Sequence, residues 1–357
     1  MNHMIVDLQF GSTGKGLMAY WLADRWRHTV AICAHTPNAG HTVIIDGVTY
    51  VHTALPCAAL AESIKFILIG PGAVFDLDQL IREARFAAGR LDGKTIIVHP
   101  NAILLRIADK LLEDSTLAIR DIASTAKGTA AANTRRMMRV PDAIINHQKV
   151  IVGEAVHALA RHGVGLRVSR NDYMEIIADP RNRCIIEGCQ GFGLSIYHGM
   201  YPYTTSRDTT PNQLAADCAL LSTWRQSTTV VGTMRTYPIR VGHTYDDAGV
   251  QIGNSGPWHD DQQELTWASI GIEPELTTVT HRVRRVATFS QRQLTEACQV
   301  VAPDELFINF CNYATTSYID DIQAHLDRMG YDLPDYYGYG PRPLDVSTFR
   351  HYDCERQ

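Results

Sequence analysis

The chain has 357 residues, of which 45% are hydrophobic and 20% charged, and its formal net charge is −5. That apolar share suffices for a large core and excludes a disordered chain, while the mildly acidic balance offers nucleic acid no basic field. No apolar run approaches membrane-spanning length, and the eight cysteines are scattered without a C-x-x-C pair or zinc spacing, so a cytoplasmic protein with reduced thiols and neither a membrane nor a nucleic-acid partner is expected.

Met4 to Leu8 reads as a strand, and Leu17 to Trp26 has the apolar spacing of a helix. Between them lies Gln9-Phe10-Gly11-Ser12-Thr13-Gly14-Lys15-Gly16. Strand, glycine-rich turn and helix form a phosphate-binding unit, in which backbone N–H groups and a lysine meet an anion at a helix N-terminus. A Walker A loop would need glycine at Gln9 and Ser or Thr at Gly16, so that match fails. Gly14-x-Gly16-x-x-Ala19 fits the dinucleotide fingerprint formally, but a lysine inside the turn favours phosphoryl chemistry. An ordinary strand–helix turn would have the same glycine content.

Val30 to Ala34 is a second strand, and Thr42–Ile45 with Val48–Val51 flank Asp46-Gly47, a hairpin signal. Ile64 to Ile69 is a buried strand stopped by Gly70-Pro71-Gly72, Asp76 to Ala88 is helical with an N-terminal Asp, and Thr95 to Val98 is a strand. Residues 115–150 read as a surface loop, rich in small residues around Ser124 to Ala130 and followed by Arg135, Arg136 and Arg139. Cys184 to Glu187 is a strand, Pro211 to Leu221 a helix with Pro in its first turn, and Thr228 to Met234 a strand. After a polar insert come Thr280 to Arg285, a strand at Glu305 to Asn309 and a helix at Ile319 to Met329. The alternation predicts an α/β fold: a large, mainly parallel sheet flanked by helices, with a P-loop-like phosphate-binding loop after the first strand, in one domain over 1–357.

Five ordered stretches resemble the motifs of one family, the adenylosuccinate synthetases. Phe10 to Gly16 resembles their W-G-D-E-G-K-G loop, and Asn38-Ala39-Gly40-His41-Thr42 matches N-A-G-H-T in full. Glu187 to Gly191 resembles E-G-A-Q-G, His198 to Ser206 resembles H-G-T-Y-P-Y-V-T-S, and Thr280 to Arg285 resembles the T-G-R-P-R-R aspartate loop. The resemblance implies a ligase. A nucleoside triphosphate phosphorylates O6 of a 6-oxopurine nucleotide, then the aspartate amine attacks C6 and expels phosphate.

By position, the resemblance implies Ser12, Lys15 and His41 as catalytic residues, with His41 a general acid toward the transferring phosphoryl group. The triphosphate site would comprise Gly11, Ser12, Thr13, Gly14, Lys15, Gly16 and Leu17, with Gly40, His41, Thr42, Asn309, Asn312 and Gly340. Mg²⁺ is the implied cofactor, held near Ser12 and the Gly40 carbonyl. Ser12, Asn38, Ala39, Thr125, Arg135, Gln190, Thr205 and Arg282 would bind the purine nucleotide, Arg135 doing so across a homodimer interface. Thr278, Val279, Thr280, Arg282 and Arg284 would hold the aspartate carboxylates, which guanidinium forks suit. Alternating arginines at 282–285 also fit a solvated strand face.

Two departures narrow the substrate. The family's loop aspartate, which takes the purine N1 proton, is Ser12 here, and its glutamate is Thr13. A positioned general base is worth about 10²–10⁴-fold, so a neutral serine implies either a weakened enzyme or a substrate that differs beside N1. Serine is small and can accept from a 2-amino group, and the Ser-Thr loop resembles the phage-type branch, 2-aminoadenylosuccinate synthetases, which take dGMP toward the diaminopurine nucleotide. The family also reads guanine of GTP with T-K-L-D, where this chain has Asn309-Phe310-Cys311-Asn312. Loss of the aspartate acceptor predicts ATP or dATP as donor. The expected function is therefore a ligase joining aspartate to C6 of dGMP, in the host-cell cytoplasm if phage-encoded. The alternatives are an ordinary adenylosuccinate synthetase acting on IMP, and a P-loop-like ATPase switch.

Overall fold

The apolar runs assemble into a single ten-stranded sheet in the computed structural model, which describes residues 1–278, 281–332 and 334–350. The first half supplies β1 (Asn2–Asp7), α1 (Lys15–Arg25), β2 (Val30–Cys33), the hairpin β3 (His41–Ile45) and β4 (Val48–His52), β5 (Phe66–Ile69), β6 (Thr95–Val98) and β7 (Gly165–Val168). The second half adds β8 (Cys184–Glu187), β9 (Thr228–Arg235), β10 (Glu305–Asn309), β11 (Tyr336–Gly338) and β12 (Val346–Ser347). The sheet order is β12-β11-β10-β9-β1-β8-β2-β5-β6-β7, parallel throughout except that β12 pairs antiparallel with β11. The α/β fold with a mainly parallel sheet and the loop after the first strand is as expected.

Period-two alternation divides the strands between two cores. Ile5, Ala31, Cys33, Ile67 and Ile69 pack on one face with Leu17, Met18 and Leu22 of α1, while Met4, Val6, Val30, Ile32 and Leu68 pack on the other. Strands buried on both faces are what a parallel sheet covered by helices requires. β1 lies between β8 and β9, so the carboxyl ends of these three neighbours meet at its loop. Open parallel sheets bind ligands outside the carboxyl ends of their strands.

Local signals mostly hold. Asp46 and Gly47 turn the β3–β4 hairpin with φ of 51° and 77°, the left-handed pair of a tight hairpin. Asp76 caps the helix Leu77–Phe86 by accepting from the N–H groups of Asp78 and Gln79. The helix opened by Pro211 ends at Asp217, short of Leu221. The polar insert is not structureless: Ile239–Arg240, Arg285–Ala287 and Glu264–Leu265 form a small antiparallel sheet.

Residues 115–150 depart from the loop expectation, since they contain the helices Leu117–Asp121 and Thr129–Met137. The second is started by a distant side chain. Buried Glu113 accepts from the N–H groups of Gly128 and Ala130 at 2.6 Å and of Ala131 at 3.2 Å. These are helix-start donors that have no partner within the helix. Replacing Glu113 with Ala leaves them unpaired, and a loss of about 2 kcal/mol is expected. It should appear as a lowered urea midpoint, and an unchanged midpoint would show that the cap does not hold this segment.

Candidate active site

A cavity of about 430 Å³ opens at the carboxyl edge of β1, β9 and β10. Its wall includes Gly11, Ser12, Thr13, Gly14, Lys15, Gly16 and Leu17 from the first loop, and Asn38, Ala39, Gly40, His41 and Thr42 before and within β3. Thr125, Gln190, Thr205, Arg284, Asn309, Asn312 and Gly340 complete the expected residues that face it. Segments more than 300 residues apart in sequence thus share one wall.

The loop's path needs its glycines. Gly11 and Gly14 have φ of 97° and 92°, and Ser12 between them is also left-handed at 56°. A Cβ on Gly14 would lie 2.1 Å from Asn309 Nδ2, which donates to the Thr13 carbonyl. Beneath the loop sits Asp7, the last residue of β1 and 2% exposed. One carboxylate oxygen accepts from the N–H groups of Gln9 at 2.8 Å and Gly11 at 3.3 Å. The other accepts from the Thr13 hydroxyl at 2.6 Å and the Lys15 ammonium at 2.9 Å.

His41 enters from the far side at the head of β3. Its Nδ1 lies 2.7 Å from Glu187 Oε1 at the end of β8, and the His35 ring stacks on it with centroids 4.0 Å apart. Burial, with Lys15 and His52 nearby, lowers the His41 pKa to about 3, so its imidazole is neutral at pH 7. Burial pushes Glu187 upward against the pull of His35. His41 Nε2 is buried without a partner. A phosphoryl anion placed there would oppose the desolvation and favour a proton on the ring.

The opposite wall has the same character. Thr125 Oγ1, Gln190 Nε2 and Thr205 Oγ1 are buried and unpaired within the protein. Three orphaned polar atoms on one cavity are unusual for a finished interior and fit a polar ligand. Thr278 packs its methyl against Gly40, where an added Cβ would lie 2.7 Å away. Val279 and Thr280 lie outside the described residues. Arg284 reaches the cavity with its guanidinium held 3.1 Å from Glu275.

Among the described residues, three expected ones are off this wall, Thr278, Arg282 and Arg135. Arg282 donates instead to the carbonyls of Ala123 and Ser124, bracing the segment that carries Thr125. Arg135 donates to both Asp109 oxygens at 2.9 and 2.7 Å and to the Leu104 carbonyl. It serves its own chain's fold and does not reach its own cavity.

Sequence reasoning missed the groups that stand behind the wall: Asp7, Glu275 and Arg235, and it gave Glu187 a motif but no role. It also missed Arg240, a wall residue only 3% exposed whose guanidinium lies over the Phe10 ring with NH1 unpaired. Burial, with Arg285 nearby, lowers the Arg240 pKa to about 9. The one available signal for Asp7 and Glu187 was a carboxylate at the end of an otherwise apolar strand. The wall carries no carboxylate among the described residues, so for Mg²⁺ the chain offers only neutral oxygens such as Ser12 and the Gly40 carbonyl. That set fits an ion whose remaining ligands are phosphate oxygens and water. The buried group His35, His41 and Glu187 is a nitrogen-rich set ill suited to Mg²⁺.

The family profile described as adenylosuccinate synthetase matches residues 4–151 and 143–324. The N6-succino-2-amino-2′-deoxyadenylate synthase of Salmonella phage PMBT28 is 40% identical, over 98% of this chain and 98% of its own. Among solved structures, the succinoaminodeoxyadenylate synthetase of cyanophage S-2L, bound to dGMP and to dATP as energy donor, superposes with a TM-score of 0.83 at 37% identity, covering 97% of this chain and 94% of that one. The fully ligated adenylosuccinate synthetase of Plasmodium falciparum shares the fold at a TM-score of 0.75 and 16% identity, over 97% and 99% of the two chains.

The tight fit at Gly14 generates a binding prediction. Gly14→Ala forces a left-handed alanine against Asn309 and should weaken ATP binding by about tenfold or more, with the far-UV spectrum retained. Calorimetric titration decides it, and wild-type affinity would remove this loop from the triphosphate site.

Proposed function

The chain belongs to the adenylosuccinate synthetase family, and from that premise we propose that it is a ligase that joins L-aspartate to C6 of dGMP, using ATP or dATP, to form 2-amino-2′-deoxy-N6-succinyladenylate. The relatives named for that product, and the similar structure holding dGMP and dATP, support the substrate and the donor. The observation that carries the choice of guanine is Ser12. It faces a wall that bears no carboxylate among the described residues, leaving room and an acceptor for the 2-amino group.

In this reading the γ-phosphoryl group passes to O6 of dGMP, the nucleoside diphosphate leaves, and the N1 proton goes to solvent water. The aspartate amine then adds at C6, and phosphate leaves with the O6 oxygen. Lys15 and the loop amides at Gly14 and Gly16 hold the transferring phosphoryl group, since charge stabilisation dominates such transfers. His41, aimed by Glu187 and confined by His35, meets its oxygens through Nε2. Ser12 and the Gly40 carbonyl would hold Mg²⁺, which would supply further positive charge to the phosphates. Thr125, Gln190 and Thr205 take the nucleotide with their unpaired polar atoms, helped by Asn38 and Ala39. Arg284 and the segment around Thr278 receive the aspartate carboxylates. Asn309, Phe310 and Asn312 line the donor side, where no carboxylate remains to accept from guanine, which favours an adenine base.

The same reading treats the chain as one catalytic domain working in the cytoplasm as a homodimer. Exposed Ile107, Leu111, Met137 and Met138 flank Arg135 and offer an apolar face to a second copy, through which Arg135 would approach the partner's nucleotide.

The deciding experiment is a product assay with aspartate and either dGMP or IMP, crossed with ATP, dATP and GTP. Aspartate-dependent phosphate release with dGMP and an adenine donor is expected, and turnover confined to IMP would sink the proposal. Lys15→Ala and His41→Ala should each lower turnover by about 10³-fold with the fold intact, and near-normal activity would remove that residue from the mechanism. Ser12→Asp should shift the dGMP-to-IMP ratio toward IMP by about tenfold or more, and an unmoved ratio would show that position 12 does not read C2.

A further inference from the structure

The Lys15 side chain is 6% exposed and, among the described residues, forms its ion pair with Asp7. Asp7 is more enclosed still. Both its oxygens are committed, one to the Gln9 and Gly11 amides and one to Thr13 and Lys15. A Cβ added to Gly191 would fall 2.6 Å from Asp7 Oδ1, so the chain also closes tightly over it. Thr13, its hydroxyl partner, is in turn 2.5 Å from the Thr233 hydroxyl on β9. Asp7 is absent from the cavity wall, whereas Lys15, Ser12 and Thr13 are on it.

A buried ammonium needs a counter-charge, because leaving one unpaired is strongly destabilising. The loop itself cannot supply it, because Ser12 and Thr13 are neutral. The strand beneath supplies it. We propose that Asp7 is a positioning residue, which fixes the Lys15 ammonium beneath the phosphate loop and shares it with the incoming phosphoryl group. The inference rests on reading the cavity as the triphosphate site.

The sharing sets the sign of the test. A phosphate must compete with Asp7 for Lys15. Removing the carboxylate charge ends that competition, but it also frees the ammonium from the place where transfer needs it. Asp7→Asn keeps an acceptor for the Gln9 and Gly11 amides, removes the charge, and puts an amide donor where an oxygen accepted from Thr13 and Lys15. It should therefore tighten dATP binding, measured with Mg²⁺ by calorimetry, by about fivefold or more, while turnover falls by about tenfold or more. General disruption of the loop would weaken binding, so the opposed changes separate the two causes.

Because Asp7 acts through Lys15, the tightening should vanish in a Lys15→Met background. Should D7N not fold, D7E retains the charge and displaces it by one methylene. Binding within about twofold of wild type with turnover down about tenfold is then expected. Weaker binding in D7N, the same change with and without Lys15, or wild-type turnover in D7N or D7E would overturn the proposal. If the wild-type protein binds no dATP in the same titration, the triphosphate reading fails; if it binds and D7N matches it, Asp7 alone is wrong.

Discussion

Each of three basic groups on the cavity wall is backed by a carboxylate that does not face the cavity. Asp7 stands 2.9 Å behind Lys15, Glu187 2.7 Å behind His41, and Glu275 3.1 Å behind Arg284. The site's chemistry depends on this arrangement. The charged Lys15 and Arg284 would otherwise lie in a partly buried pocket with their desolvation uncompensated, whereas the His41 ring is neutral there. Asp7 and Glu275 balance these two cations from the protein side and leave their cavity-facing surface free. The sheet order makes this possible, because the ends of β1 and β8 are neighbours and bring Asp7 and Glu187 under opposite parts of one cavity.

The placement behind the wall also bears on substrate choice. A carboxylate on the wall beside the purine would occupy the edge that distinguishes guanine from hypoxanthine. With the counter-charge for Lys15 below the loop, Ser12, which the proposed function sets at that edge, is free to be small and neutral. The left-handed backbone at Ser12 is sterically disfavoured for a side-chain-bearing residue. It is held by partners on both sides: the Gly11 amide bound to Asp7 and the Ser12 carbonyl bound to Arg235.

The sheet and the ligand-facing residues were legible because they are written locally. Apolar runs of four to eight residues mark the buried strands, Asp46-Gly47 marks its hairpin, and Asp76 caps its own helix. Ordered motifs likewise marked Lys15, His41, Thr125, Gln190 and Thr205, all of which reach the cavity. What escaped notice acts across long sequence separations. Glu113 starts a helix 15 to 18 residues away, and Arg235 meets Ser12 across 223 residues. No local pattern reports such a pairing. A buried charge reads in sequence like any surface charge until the fold shows what surrounds it. The arginines at 282–285 show the same limit. Their alternation suited either a ligand or solvent, and the structure gives Arg284 the cavity, Arg282 a bracing role and Arg285 an ion pair with Glu264.

Arg235 carries the argument one step further. Its side chain is fully buried, its guanidinium lies 3.8 Å over the Phe310 ring, and it donates to Glu275 at 2.6 Å and to the Ser12 carbonyl at 3.3 Å. Burial alone would raise the Glu275 pKa, but Arg235 and Arg284 outweigh it and hold that carboxylate below its ordinary value. One cation therefore touches the face of the Phe310 ring, the backbone of Ser12, and the Glu275 carboxylate that holds Arg284. Three stretches far apart in sequence share a single buried partner. Residues that share a partner do not vary independently, so altering the ring at 310 also changes the surroundings of Ser12 and Glu275. Under the proposed function, donor base, acceptor base and amino acid would thus be read by one connected unit, built on the end of β9.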